Sequence, residues 1–408
     1  IGINLFSIGL ADPFNDSPKI PGMLTSDAPY YEFIDGLEHH VDNLDYSPPL
    51  ISGVIGPWVE DIDEDVVLNY IQALVNFGPR VTESTACDNA GTYIYNEFQN
   101  MGLDVRYQNW TSGSLSGKNV EATLSGTDTS SDKIFIVLGH YDSVSGSPGA
   151  DDNAAGTAAA LAAAEILSQH SFAHDIRFLA VDGEEQGLHG SSEYVTEAIN
   201  NGDNIIAALN ADMIGYAPDP GDGEKVKVYS NAESQWLFDY ILDIESTYDS
   251  IIGNFDIIDA GYSGGSDHAS FWSGGYDSVF YHEYHFNDYY HSSSDLITYM
   301  NMSYDAKVTQ LIVATLAELA EPILHEHDIS VESIDVDDIV AHGETHTVFA
   351  TVRNVGNNTE SDITVNFTVD GSLIDTATVM QLDTMESTVV SFNWTPDYGT
   401  FTLVIETL

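Results

Sequence analysis

At 408 residues the chain is long enough for one large domain and one small one. Its 65 Asp and Glu against 10 Lys and Arg give a formal charge of −55, a field that excludes nucleic acid and anionic membrane surfaces as partners. With 43% hydrophobic residues the acid coats a folded core rather than a disordered tail, and self-repulsion on this scale calls for screening by salt, so the composition reads as adaptation to a high-salt environment.

Residues 1–55 are rich in Pro, Asp and Gly and carry no sustained period; they read as an irregular arm or the remnant of a leader. The opening at Ile1, without Met, reads as a trimmed chain. Helical spacing follows at Val67, Tyr70, Ile71 and Leu74, ended by Gly78-Pro79. A second helix over 88–101 puts Ala90, Ile94, Phe98 and Met101 on one face, with Gly102 at its end. Strands are predicted at 104–110, 119–125 and 133–139, then a helix at 154–169 and a strand at 175–182. A helix near 190–200 leads to strands at 204–211 and 225–230. A helix at 232–246 precedes strands near 255–259 and 278–284, and a long helix over 302–322 closes the region. This alternation predicts an α/β fold: a mainly parallel twisted sheet with helices on both faces, over 56–325.

Beyond Glu321-Pro322 the pattern changes to short alternating segments near 329–334, 347–352, 363–369, 388–394 and 401–405, with turn signals between them. Residues 328–408 are therefore expected to form a small all-β sandwich. Cys87 is the one cysteine, so no intramolecular disulfide can form, and with no His motif beside it a buried structural thiol is expected. Sequons at Asn109, Asn301, Asn357, Asn366 and Asn393 lean toward export, to the cell surface or beyond it. No membrane span is present.

The chemistry gathers around 134–156. The apolar run Ile134 to Leu138 reads as a strand buried on both faces. It stops at Gly139, and His140 and Asp142 follow at once. Then come a Ser/Gly/Pro loop, Asp151, Asp152 and an Ala-rich helix. Ligands of open α/β sheets sit at the carboxyl ends of strands. An imidazole with carboxylates there suits zinc better than calcium, which takes oxygen alone. Further strand ends carry Asp182-Gly-Glu184-Glu185, Asp212-Met-Ile-Gly215, Ser266-Asp267-His268 and Tyr290-His291 with Asp295. Each alone is weak in so acidic a chain. His282 and His285 look like a ligand pair but would oppose each other on a strand. The Gly-rich stretch Gly261 to Gly265 is expected to shape a pocket rather than bind phosphate.

The order of the motifs is more specific: strand-His-x-Asp, Gly-Ala-Asp-Asp-Asn, Gly-Glu-Glu, Asn-x-Asp-Met-Ile-Gly and Tyr-His-x-x-x-Asp. This series resembles the co-catalytic di-zinc aminopeptidases of the secreted leucyl aminopeptidase type. The likeness covers roughly 60–322, and the tail resembles immunoglobulin-like or adhesion-like modules whose partner the sequence does not name. The resemblance implies two Zn²⁺ ions. Asp152 would bridge them, His140 and Asp212 would complete one site, and Glu185 and His291 the other. Glu184 would be the general base. Two zinc ions, three carboxylates and a bridging hydroxide would leave the site near neutral, which limits its desolvation cost. Asp142 would fix the His140 tautomer, and Asp295 would do the same for His291. Where the family has a second Asp, this chain has Asn153. Metals about 3.5–4 Å apart would supply the hydroxide, Glu184 would move its proton to the leaving amine, and Tyr290 would donate to the oxyanion.

The expected activity is removal of N-terminal, apolar residues from peptides. A carboxypeptidase or amidohydrolase on the same metals is the alternative, and a non-catalytic binding protein on the same fold a second. A substrate carboxylate would need cationic partners, and the arginines that could clamp one are only Arg80, Arg106, Arg177 and Arg353. That scarcity favours the aminopeptidase.

Overall fold

The computed structural model describes residues 51–253, 255–323, 329–336, 343–356, 358–384, 386–397 and 401–407. Residues 1–50 of the arm expected over 1–55, and the sequon at Asn357, lie outside them. The expectation of irregular chain through residue 55 is corrected. Helix α1 runs Ser52–Glu60, with Val54 and Ile55 buried. Its two glycines and Pro57 hide the period, and Gly56 leaves room for Ile251, whose Cδ1 would stand 2.8 Å from an added Cβ.

Helix α2 (Glu64–Val75) buries Val67, Tyr70, Ile71 and Leu74 on the predicted face. Its first turn is closed by Asp63, whose carboxylate accepts the amides of Asp65 and Val66. Helix α3 (Thr85–Asn100) starts earlier than its apolar spacing suggested, because Ser84 caps it by accepting the Cys87 amide.

The large sheet has eight strands in the order β1-β2-β4-β3-β5-β8-β6-β7. These are β1 (Asp104–Ser112), β2 (Leu115–Leu124), β3 (Lys133–His140), β4 (Asp175–Val181), β5 (Asn204–Ala211), β6 (Lys225–Tyr229), β7 (Asp256–Asp259) and β8 (Ser278–Glu283). β3 pairs parallel with β4 on one side and β5 on the other. The chain leaves β3 toward one side and returns through β4 to the other. The carboxyl end of β3 is thus a topological switch point.

Helix α4 (Gly156–Leu167) is buried along its length apart from Glu165, which accepts the Tyr70 hydroxyl at 2.7 Å. Its alanines let it lie close on β3. Gly139 and Gly156 permit the contact, since a Cβ on Gly139 would stand 2.5 Å from the Gly156 carbonyl carbon. Helix α4 begins two residues later than predicted because 150–155 form a wide turn ahead of it. Helices α5 (His189–Asn201), α6 (Gln235–Ile252) and α8 (Met302–Leu319) follow their predicted segments, and α7 (His268–Ser273) is a short one the pattern did not show.

The C-terminal strands form two three-stranded antiparallel sheets, β13-β10-β9 and β12-β11-β14. They are β9 (Ile329–Asp335), β10 (His346–Asn354), β11 (Glu360–Val369), β12 (Ser372–Leu382), β13 (Ser387–Trp394) and β14 (Leu403–Thr407). Val348, Val352, Val365, Phe367 and Phe392 fill the space between them. β12 adds a strand to the five predicted. Most of its side chains are exposed, so it carries no alternation to read.

Candidate active site

Four adjacent strand ends build the site. β3 ends in His140, β4 leads into Glu184 and Glu185, and β5 leads into Asp212. The loop after β8 carries His291, held in the left-handed region at φ 54°. The turn before α4 carries Asp152.

The side chains converge as two groups able to hold a metal, His140 with Asp152 and Asp212, and Asp152 with Glu185 and His291. Asp152 belongs to both. Its Oδ1 stands 3.3 Å from His140 Nε2 and its Oδ2 3.2 Å from His291 Nε2. His140 Nε2 is 3.5 Å from Asp212 Oδ1, and His291 Nε2 is 3.0 Å from Glu185 Oε2. His140, Asp152 and Asp212 are buried.

The electrostatics call for added positive charge. Burial and the nearby Asp152 charge push the Glu185 carboxyl up to about 7. Burial opposes ionisation of Asp152 too, yet the His140 and His291 imidazoles beside it hold it below the usual carboxylate range. Burial pulls His291 down, and its bonds to Asp152 and Glu185 outweigh that and lift it to about 10. Glu184 is held well above its ordinary range by burial and by the charges of Asp267, Asp212 and Glu185, against the pull of His140. His140 Nε2, Glu185 Oε1 and Asp212 Oδ1 are buried without a hydrogen-bond partner. Orphaned buried polar atoms are costly, and all three belong to candidate ligands. Two imidazoles and three carboxylates are a donor set that fits zinc.

Asp142 lies where the sequence put it. His140 Nδ1 faces its Oδ1 at 3.4 Å and its backbone oxygen at 3.3 Å. The same carboxylate accepts the amides of Glu184 and Glu185 at 3.3 and 3.2 Å, so it fixes two segments at once. Asp295 is a correction. Its carboxylate accepts the backbone amides of Asp151 and Asp152 at 2.9 and 3.2 Å instead of a proton from His291. The turn between His291 and Asp295 carries the carboxylate back toward the 151–152 backbone, whose amides have no helical partners.

Tyr290 stacks on His291 with ring centroids 3.7 Å apart and meets Phe286 edge-on at 5.0 Å. Burial and the charges of Asp152 and Glu185 push its phenol well up, which keeps it a proton donor. Asn153 replaces the acid expected after Asp152 without touching either metal group. Its amide donates to the Ala211 carbonyl and accepts from Gly156 and Met213. His282 is buried on the Glu283 carbonyl while His285 faces Asp222, so the two do not act as a pair. Cys87 is buried 3.3 Å from Asp182 Oδ1.

Two contributors were not legible in the motifs. Ser266 donates to Asp212 Oδ2 at 2.6 Å and receives the Asn210 amide. Arg80 is fully buried and spends its guanidinium on the carbonyls of Tyr141, Pro148 and Gly149, at 2.7, 2.6 and 2.7 Å. It thereby fixes the loop between His140 and Asp152. Its place after Gly78-Pro79 was visible, but its three acceptors lie more than sixty residues away.

Residues 119–316, which hold every candidate ligand, match the family model of peptidase family M28, and residues 326–406 match the CARDB model. The chain is 26% identical over 293 residues to a probable leucine aminopeptidase of Trichophyton verrucosum, covering 66% of this chain and 75% of that one. It is 26% identical over 346 residues to a probable zinc metalloprotease of Pyrenophora tritici-repentis, covering 68% and 71%. In fold it is similar to the LapA aminopeptidase of Legionella pneumophila, with a TM-score of 0.60, 23% identity and coverage of 67% and 77%. Residues 119–316 are thus a peptidase region of family M28, and a CARDB β-sandwich follows it.

Proposed function

We propose that this chain is an exported, salt-adapted aminopeptidase that removes apolar N-terminal residues from peptides with the help of two zinc ions. The observation that carries the reading is the pair of ligand groups sharing Asp152, with Glu184 beside them. His140, Asp152 and Asp212 would hold one ion, and Asp152, Glu185 and His291 the other. Bound zinc supplies an activated water near neutral pH and polarises the scissile carbonyl. Glu184 would take a proton from the attacking water and deliver it to the leaving amine. Tyr290 donates its phenol hydrogen to the oxygen that gains charge. Asp142 and Ser266 hold His140 and Asp212 in orientation throughout.

The arginines favour an N-terminal over a C-terminal substrate. Arg80 is committed to three carbonyls, Arg106 to Glu121 and Glu197, and Arg177 to Asp203. Arg353 belongs to the sandwich. None is placed to clamp a substrate carboxylate. A purely binding role on the same fold would not need Glu184 beside a complete ligand set. Preference for apolar residues is supported by Phe286 and Tyr290 beside His291. Export is supported by the exposed sequon residues Asn109 and Asn393, and salt adaptation by the charge of −55.

The test is hydrolysis of leucyl-p-nitroanilide beside its N-acetylated form in molar salt, with chelator and zinc add-back. Cleavage of the free-amine substrate alone, abolished by chelator and restored by zinc, is expected. Cleavage of the acetylated substrate alone overturns the aminopeptidase reading. The same assay across a salt series should show activity and thermal midpoint falling together at low salt; a flat series removes the salt adaptation.

A further inference from the structure

Asp151 stands next to Asp152 but belongs to neither metal group. It is fully buried. Its Oδ1 accepts the Gly215 amide at 2.8 Å, three residues beyond Asp212. Its Oδ2 accepts the Asn287 side-chain amide at 2.7 Å, four residues before His291. Its own amide donates to Asp295 at 2.9 Å. One buried carboxylate therefore ties together the segments that carry Asp152, Asp212 and His291.

The tied segments need holding. Met213, beside Asp212, has φ 54°, as does His291 itself. Non-glycine residues in the left-handed region persist only where their surroundings over-determine them. Asn287 is itself braced, since its side-chain oxygen accepts the Tyr289 amide at 2.8 Å and its backbone amide donates to Glu283 at 2.7 Å. A buried carboxylate is expensive to keep where an apolar side chain would serve packing alone.

We propose that Asp151 is a positioning residue for the metal centre, holding Asp212 and His291 at their distances from Asp152 before any ion arrives. The inference rests on the reading of those residues as zinc ligands. An asparagine at 151 keeps the shape but has one acceptor oxygen, so its NH₂ meets the NH₂ of Asn287. Exchanging the two residues restores a donor facing an acceptor.

The experiment is zinc competition against a chromogenic chelator on the full chain in molar KCl, fitted to two sites, beside the thermal midpoint of the metal-free protein. Asp151→Asn should bind both ions about 10–100-fold more weakly, as loss of a group orienting metal ligands does. Asp151→Asn combined with Asn287→Asp should recover most of that loss. Asn287→Ala, which leaves the Gly215 contact in place, should weaken one ion only, and it decides the matter if Asp151→Asn does not fold. Wild-type zinc affinity in the folded single variant, a lower metal-free midpoint with unchanged zinc affinity, or a folded exchange variant no better than the single one overturns the proposal. A wild-type chain that binds no zinc refutes the underlying ligand assignment instead.

Discussion

The peptidase region and the sandwich bury side chains on different terms. Between the two sandwich sheets, among the described residues, Asn354 is the one buried polar side chain, and the rest of the interior is apolar. The peptidase region buries Asp142, Asp151, Asp152, Asp182, Asp212, Asp267, Asp295, Glu283 and Asp305 as well as His140. Replacing such charges by well-packed apolar groups is often neutral or stabilising. Their presence in one region and absence from the other marks where geometry is kept for chemistry. The sandwich is organised for stability and surface, the peptidase region for a charged site that a cation completes.

The largest effect expected from that contrast falls on Glu184. Glu184→Gln removes the proton acceptor but no candidate ligand. Turnover of leucyl-p-nitroanilide should fall by about 10²–10⁴-fold, with zinc content unchanged by metal analysis. A variant with near-normal kcat removes Glu184 as the base.

Next comes the pH dependence of the metal-free protein. Burial pushes the carboxyls of Asp182 and Asp267 up to about 7 and that of Asp295 up to about 8. Glu185 is raised to about 7 and His291 to about 10. A carboxyl raised by folding keeps a proton that the unfolded chain loses near its ordinary value of about 4. Between those two values the folded state binds more protons, so its stability falls as pH rises. The stabilising contribution of His291 is complete below its ordinary value of 6.5 and is lost as pH climbs toward its folded value of about 10. Both act in one direction; His268, pulled down to about 4 by burial, and His282, also pulled down, oppose them up to their ordinary value of 6.5 and are outnumbered by the raised carboxyls. The metal-free midpoint should drop from about pH 5 to about pH 8, with a flatter profile once zinc supplies the missing charge. Circular dichroism melts at constant molar salt check this, and a metal-free midpoint that rises over the window overturns it.

Core truncations sharpen the comparison. Phe178 is fully buried against Phe98 at 6.3 Å in the peptidase core, and Phe367 against Phe392 at 5.4 Å in the sandwich core. Either residue changed to Ala should cost about 3–5 kcal/mol. Phe178→Ala should lower the temperature at which turnover is lost, whereas Phe367→Ala should melt the sandwich and leave turnover intact. Calorimetry beside the activity assay distinguishes them. A single transition lowered equally by both variants makes the two regions one cooperative unit.

How far the sequence reached follows the same division. Strands such as β3 and helices such as α2 were legible because burial on one or both faces leaves a period. The candidate ligands were legible because strand ends in a parallel sheet are neighbours. Asp142 was legible as a neighbour of His140 because a single residue separates them, and its carboxylate stands 3.4 Å from His140 Nδ1. The partners of Asp295 were not legible, since a turn intervenes and the amides belong to a segment 143 and 144 residues away. Ser266 and Arg80 were in view, but their partners were hidden for the same reason. Helix α1 and strand β12 escaped because glycine and proline in one, and exposure in the other, erase the pattern that burial writes.

The smallest effect separates charge from hydrogen bonding on the acidic surface. Asp63 caps α2 by accepting the amides of Asp65 and Val66 at 3.0 and 2.9 Å, and Glu64 and Asp65 follow it in the first turn. Asp63→Ala leaves both amides to water and should cost about 1 kcal/mol. Asp63→Asn keeps the acceptor oxygen and removes a charge from a crowded acidic turn. In molar salt, where the favourable pull of the helix dipole is screened, the Asn variant should melt like the wild type and the Ala variant below it. Equal losses in both variants would mean that even here, far from the site, the charge itself rather than the bond it accepts is what the fold requires.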